Sequence, residues 1–145
     1  MIGSLLNLLA LGALPLRPGF AAGGAGGAMR AFLLGTQGGP NFNAQRGETA
    51  SAIRIDDRIY LIDCGYGALA ALVRMGLDYR AVGHVFLTHL HDDHAADVVS
   101  LLGHQWTGGR TIPTMVHGPA GTARLVDAAV RYNQVNEEIR LVDES

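Results

Sequence analysis

Lysine is absent from the 145 residues, and all eleven basic side chains are arginines. Phosphate loops of the GxxxxGK[ST] type and lysine Schiff-base catalysis are therefore excluded. Cysteine occurs once, at Cys64, so neither an internal disulfide nor a cysteine-rich zinc site can form, and any metal must be held by histidine and carboxylate. Charge is also scarce: charged residues make up 17%, and thirteen acidic against eleven basic side chains leave a net charge of -2. With no basic field to draw in a phosphate backbone, nucleic acid is not expected as a partner. No apolar run reaches the ~20 residues that cross a bilayer, so no transmembrane span is expected.

What is present is a chain of 48% apolar residues, too hydrophobic for intrinsic disorder and long enough for one domain or a piece of a larger one. Half of its 20 glycines fall within the first 39 positions. The run LLNLLALGALPL from Leu5 to Leu16 matches a signal-peptide apolar region of about 7–15 residues, and the small residues after it allow cleavage following Ala21 or Ala22. No arginine precedes the run. Residues 1–28 are read as a signal-like apolar and Gly/Ala-rich segment and 29–145 as domain, with export to the periplasm or exterior expected and a cytoplasmic location as the alternative.

From Arg30 to Thr36 an apolar run leads into Gln37-Gly38-Gly39-Pro40, a strand and a turn. Alternation over 49–55 and 58–62 about Asp56-Asp57 predicts a hairpin. Leu69, Leu72, Val73 and Leu77 are helically spaced, with Gly76 as the stop. A brief strand over 85–88, a helix over 94–102, a strand over 114–116 and a helix over 121–132 follow. Strands alternating with helices indicate an α/β domain.

The segment Thr88-His89-Leu90-His91-Asp92-Asp93-His94 places three imidazoles and two carboxylates directly after an apolar strand. In extended backbone His89 and His91 point to the same side, and Asp93 and His94 lie past the turn. Imidazole nitrogen and carboxylate oxygen suit Zn²⁺, Mn²⁺ or Fe²⁺. A plain helix cap needs one carboxylate and no imidazole.

That string resembles the THxHxDH signature of the metallo-β-lactamase superfamily. FLLGTQGGP at 32–40, YLIDCG at 60–65 and VHGPAG at 116–121 keep the family's order and look most like its ribonuclease Z and arylsulfatase-like branch. The resemblance implies an αββα sandwich, of which this chain is the N-terminal half. It further implies that His89 and His91 bind a first metal and Asp93 and His94 a second. Asp63 then supports the metal loop through a ligating histidine. Two Zn²⁺ per complete site are implied, with Mn²⁺ or Fe²⁺ as alternatives. The implied activity is hydrolysis of an ester-type bond (phosphodiester, sulfate ester or lactone) by metal-activated water, with Asp93 as the catalytic carboxylate and a small molecule as the expected substrate. An iron-dependent dioxygenase on the same fold, or a non-catalytic fragment with an incomplete site, are the competing expectations. The family's later histidines and bridging aspartate have no counterpart before Ser145, so the chain reads as truncated; the sheet face that such a half leaves bare makes a homodimer possible.

Other residues are read more plainly. His104 and His117 are taken as structural or surface residues, Trp106 as packing, Arg110 as solvated and Cys64 as a small buried hydrophobe. Asp97, where many family members have glycine, is taken as a helix-dipole partner, and the amides of the 37–40 turn as lying near the site.

Overall fold

The computed structural model describes residues 28–39 and 41–143. The signal-like run at Leu5–Leu16 and its cleavage positions lie outside these residues, as does Pro40.

Five strands form one sheet in the order β1-β2-β3-β4-β5: β1 Arg30–Gly35, β2 Ala50–Ile55, β3 Arg58–Ile62, β4 Val82–Phe86 and β5 Met115–His117. The first three run antiparallel and the last two join in parallel. The change of direction follows from the connections. Asp56-Asp57 turns β2 into β3 within two residues, Asp56 taking a φ of 52°, a left-handed conformation that a short polar side chain tolerates. The parallel strands are joined instead by helical crossovers. These contain α1 Ala68–Arg74, α2 Asp92–Ala95 and α3 Val98–Thr107, and α4 Thr122–Asp143 follows β5. Gly76, at φ 68°, ends the α1 turn where a stop is expected.

Strand alternation decides which face is buried. Ala50 and Ala52, and Ile59 and Leu61, point to one side, as do Val82 and Val85, which the irregularity at Gly83 brings into phase; there they join Ala68, Ala71, Leu72, Val98, Leu101, Leu102 and Ala129 in a single core. The intervening residues Tyr60, His84, Phe86 and His117 lie on the opposite side as a stacked ladder. Leu33 is 70% exposed and Phe86 40%. The described residues thus make one sheet and one helical layer, the α/β architecture expected of a half-sandwich.

Several boundaries depart from expectation, each for a local reason. β4 begins at Val82 rather than Val85 and ends before Thr88, whose amide and hydroxyl are drawn to Asp63. The expected 94–102 helix is two helices, α2 and α3, broken at residues 96–97, where the Asp97 amide donates to the Cys64 carbonyl at 2.9 Å. α4 runs on to Asp143 instead of stopping near Tyr132. No glycine or proline interrupts it, and the buried Asn133 ties it to α3 by donating to the carbonyl of Val99 (2.9 Å), while also bonding the Ala129 carbonyl of its own helix (3.0 Å).

Leu61, fully buried on the central strand, should be the costly position. Leu61→Ala is expected to lower unfolding free energy by about 2–5 kcal/mol in urea titration, whereas Val135→Ala on the exposed side of α4 should change it by less than about 0.5 kcal/mol.

Candidate metal centre

The loop after β4 brings together His89, His91 and Asp93, whose ligand atoms all lie within 4.8 Å of one another. His94 adjoins them: its ring centre is 4.0 Å from that of His89, and its Nε2 is 3.4 Å from Asp93 Oδ2. His91 is exposed and His89 half-buried, while Asp93 is buried. An approaching ion therefore meets imidazole first and the carboxylate at the floor.

Asp63 organises this loop from behind. It sits at the end of β3 with φ 58° and is buried. Its carboxylate accepts from the Thr88 amide (2.8 Å) and the Thr88 hydroxyl (3.0–3.1 Å) and faces His94 Nδ1 at 2.9 Å. With Nδ1 engaged, Nε2 is the His94 nitrogen left to face a ligand. Thr88 Oγ1 also lies 3.1 Å from His89 Nδ1. Asp93 is held from the opposite side by the Gly39 amide, which donates to Oδ2 at 2.8 Å. One amide of the 37–40 turn thus reaches the site, spent on Asp93 rather than left for an anion.

The floor is laced by backbone. Cys64 donates to the His94 carbonyl at 2.7 Å, and Gly65 to that of Thr49 at 3.0 Å. A Cβ built at Gly65 would overlap the Asp93 carbonyl oxygen, so only glycine fits there. Glu48, buried, accepts from the Tyr66 amide at 3.0 Å and returns its own amide to the Tyr66 carbonyl at 2.9 Å. Glu48 and Gly65 were not foreseen as site residues; the only sequence signal is the glycine after Asp63-Cys64.

Asp97 does act with a helix terminus, but that of α1 and not its own. It accepts from the Leu69 amide at 3.1 Å, supplying the cap that Gly67 cannot. Burial pushes its carboxyl above the ordinary aspartate range against the pull of these amides. The Cys64 thiol is likewise pushed up, by burial and by Asp97 and Asp63, which suits an inert buried residue.

The remaining histidines lie elsewhere. His104 bonds the Ser100 carbonyl on α3 at 2.9 Å. His117 meets His84 at 3.1 Å, Nε2 to Nδ1, on the open sheet face. Trp106 is buried packing, 1% exposed. Arg110 differs from expectation: it is half-buried, donating to Thr114 Oγ1 at 3.1 Å and to the carbonyls of Arg80 and Pro113.

Residues 45–133, more than half of the chain, match the family model for the metallo-beta-lactamase superfamily. The chain belongs to that superfamily. Among relatives, ribonuclease Z of Mycobacterium marinum (strain ATCC BAA-535 / M) is 35% identical over 102 residues, covering 68% of this chain and 36% of the relative. Ribonuclease Z of Mycobacterium sp. (strain KMS) is 37% identical over 98 residues, covering 66% and 34%. The chain spans just over a third of the length of these metallo-beta-lactamase relatives. Of solved structures, human tRNase Z, short form, superposes with a TM-score of 0.63 at 29% identity, covering 74% of this chain and 40% of that one. The metallo-beta-lactamase fold protein YhfI of Bacillus subtilis gives 0.53 at 25%, covering 62% and 36%. The ribonuclease Z branch and the N-terminal position of the match are as the motifs imply. The superfamily implies divalent-metal binding, and two imidazoles with a buried carboxylate are a donor set that fits it.

One expectation is overturned. A small-molecule substrate, with nucleic acid set aside, does not stand beside relatives that are ribonucleases. The error lies in averaging charge: a net charge of -2 over the chain says nothing of the field at a centre where bound cations are the largest local charges.

Asp97 supplies a pH test. Its folded pKa is raised, so its contribution is complete below the unfolded value of about 3.9 and is lost as pH rises through the folded value. Asp97→Asn, which keeps an acceptor for Leu69, should remove that fall in melting temperature from a series of thermal scans; a persisting fall would assign it to another group.

Proposed function

We propose that the protein is the N-terminal part of a metal-dependent hydrolase that cleaves phosphodiester bonds in RNA, with Zn²⁺ as the resident metal. The observation that carries the reading is the His89, His91 and Asp93 cluster with the Asp63–His94 bond behind it, in a chain whose relatives are ribonucleases Z.

In this reading His89 and His91 hold one metal, and Asp93 and His94 the second. Bound there, the metal supplies a Lewis acid for the scissile phosphodiester and lowers the pKa of water towards ~7. The chain's own groups do the rest. Asp63 fixes the His94 ring through Nδ1 and keeps Nε2 aimed into the site. The Gly39 amide holds Asp93 Oδ2, so Asp93 keeps its other oxygen to orient the attacking water and accept its proton. The protected floor of Cys64 and Gly65 prevents the loop from drifting by the ångström that costs catalysis dearly. The sequence motifs favoured ester-type bonds in general; the phosphodiester is chosen on the relatives.

Two experiments test this. With an RNA phosphodiester substrate, metal-dependent cleavage by the wild type should fall to background in His91→Ala, and cleavage that survives removes the assignment. Asp63→Asn keeps an acceptor for Thr88 and tolerates the left-handed backbone, yet turns an amide towards His94. It should weaken Zn²⁺ binding by about 10–100-fold in a competition titration, while unchanged affinity would make Asp63 a turn residue only.

A further inference from the structure

One buried carboxylate is left without a role by that mechanism. Glu48, just before β2, is 5% exposed, and no arginine or histidine pairs with it among the described residues. Burying a carboxylate is costly unless its acceptors are used. Its Oε2 accepts from the Tyr66 amide at 3.0 Å, and its own amide donates to the Tyr66 carbonyl at 2.9 Å. Both main-chain groups of Tyr66 are thus closed by one residue.

The neighbours of Glu48 extend this grip in two directions. The Gly47 carbonyl accepts from the amides of Thr36 and Gln37, each at 3.0 Å, and Thr49 Oγ1 donates to the Gln37 carbonyl at 3.2 Å. On the other side the Thr49 carbonyl accepts from the Gly65 amide at 3.0 Å. Residues 47–49 are therefore a crossbar between the turn that begins at Gln37 and the loop at 65–66. These are the two elements that restrain Asp93. The Gly39 amide holds Asp93 Oδ2 at 2.8 Å, and Gly65 lies so close to the Asp93 carbonyl oxygen that no Cβ fits between them. A Cβ on Gly65 would also come within 2.8 Å of Glu48 Cβ, so Glu48, Gly65 and Asp93 meet in one packed contact. None of these contacts uses the sheet face that bears Tyr60 and His84, so the arrangement does not depend on what covers that face.

We infer that Glu48 is a positioning residue for the metal centre, which by clamping Tyr66 seats Gly65 against Asp93 and keeps the turn at 37–39 within reach of the Asp93 carboxylate. It acts through Asp93 and the backbone. Its bearing on metal rests on the function proposed above; the restraint on Asp93 stands without it.

The test compares Glu48→Ala with Glu48→Gln, which keeps an acceptor for the Tyr66 amide, and with Val82→Ala, a fully buried core position where β4 begins. The metal probe is Co²⁺, whose visible absorption reports ligand geometry. The metal-free probe is hydrogen exchange at the Cys64 amide, which is bonded to the His94 carbonyl and is released when the metal loop opens. Glu48→Ala should weaken Co²⁺ binding about tenfold or more, as lost support of a ligand does, alter the absorption band, and speed Cys64 exchange relative to the amides of β4. Glu48→Gln should restore all three. Val82→Ala should lower the melting temperature and leave the band as in the wild type, which separates positioning from a general loss of stability. An unaltered band and unaltered relative exchange in Glu48→Ala, or a Glu48→Gln that behaves as Glu48→Ala does, overturns the assignment. A wild type that cleaves no RNA counts against the hydrolase reading and leaves both readouts standing. A wild type that takes up no Co²⁺ counts against the metal centre, and Cys64 exchange then decides the restraint on its own.

Discussion

The Asp63 carboxylate is the contact on which the metal loop depends. One buried side chain fastens the end of β3 to the exit of β4, through the amide and hydroxyl of Thr88, and to the start of α2, through His94. Buried carboxylates are stable only when their acceptor capacity is met, and here strand ends and imidazole meet it together. Sheet and site are therefore joined at one residue, whose left-handed backbone aims the carboxylate at all three partners.

The Asp97 carboxylate repeats this device on a neighbouring element. It crosses from the 96–97 break to the amide of Leu69, so α1 is capped by a residue nearly thirty positions away. Its amide returns to Cys64. The β3–α1 loop and the α2–α3 break are thus secured by reciprocal contacts, with Gly65 as the gap through which the two backbones pass. No lysine or arginine pairs with either acidic group at the floor: Asp63 is met by Thr88 and His94, while for Asp97 burial outweighs the amides that bond it and keeps its carboxyl above the ordinary range.

Much of this was legible in the residues. The hairpin about Asp56-Asp57 has alternation and turn chemistry that leave little choice of register, and β2 and β3 fall within one residue of expectation. The motif from His89 to His94 stood out because no folding requirement explains it, and it proved to be where imidazole and carboxylate converge. What was hidden depends on contacts remote in sequence. Nothing local in Asp97 reveals that it serves α1, and nothing in Glu48 reveals its exchange with Tyr66. Arg110 looked solvated because its partners are main-chain carbonyls, which no side-chain pattern displays. The helix past Tyr132 was missed because the positions it buries there, Asn133 and Glu137, are polar and make no apolar stripe.

The mixed sheet also joins two kinds of pairing. The β2–β3 hairpin pairs residues close in sequence, at little entropic cost. β4 and β5 join in parallel across helical crossovers that include α1 and α3, a non-local pairing. Asp63, at the seam between the two, reaches across to Thr88 at the exit of β4. The metal loop is therefore held by the long-range half of the sheet, and the hairpin alone does not fix it.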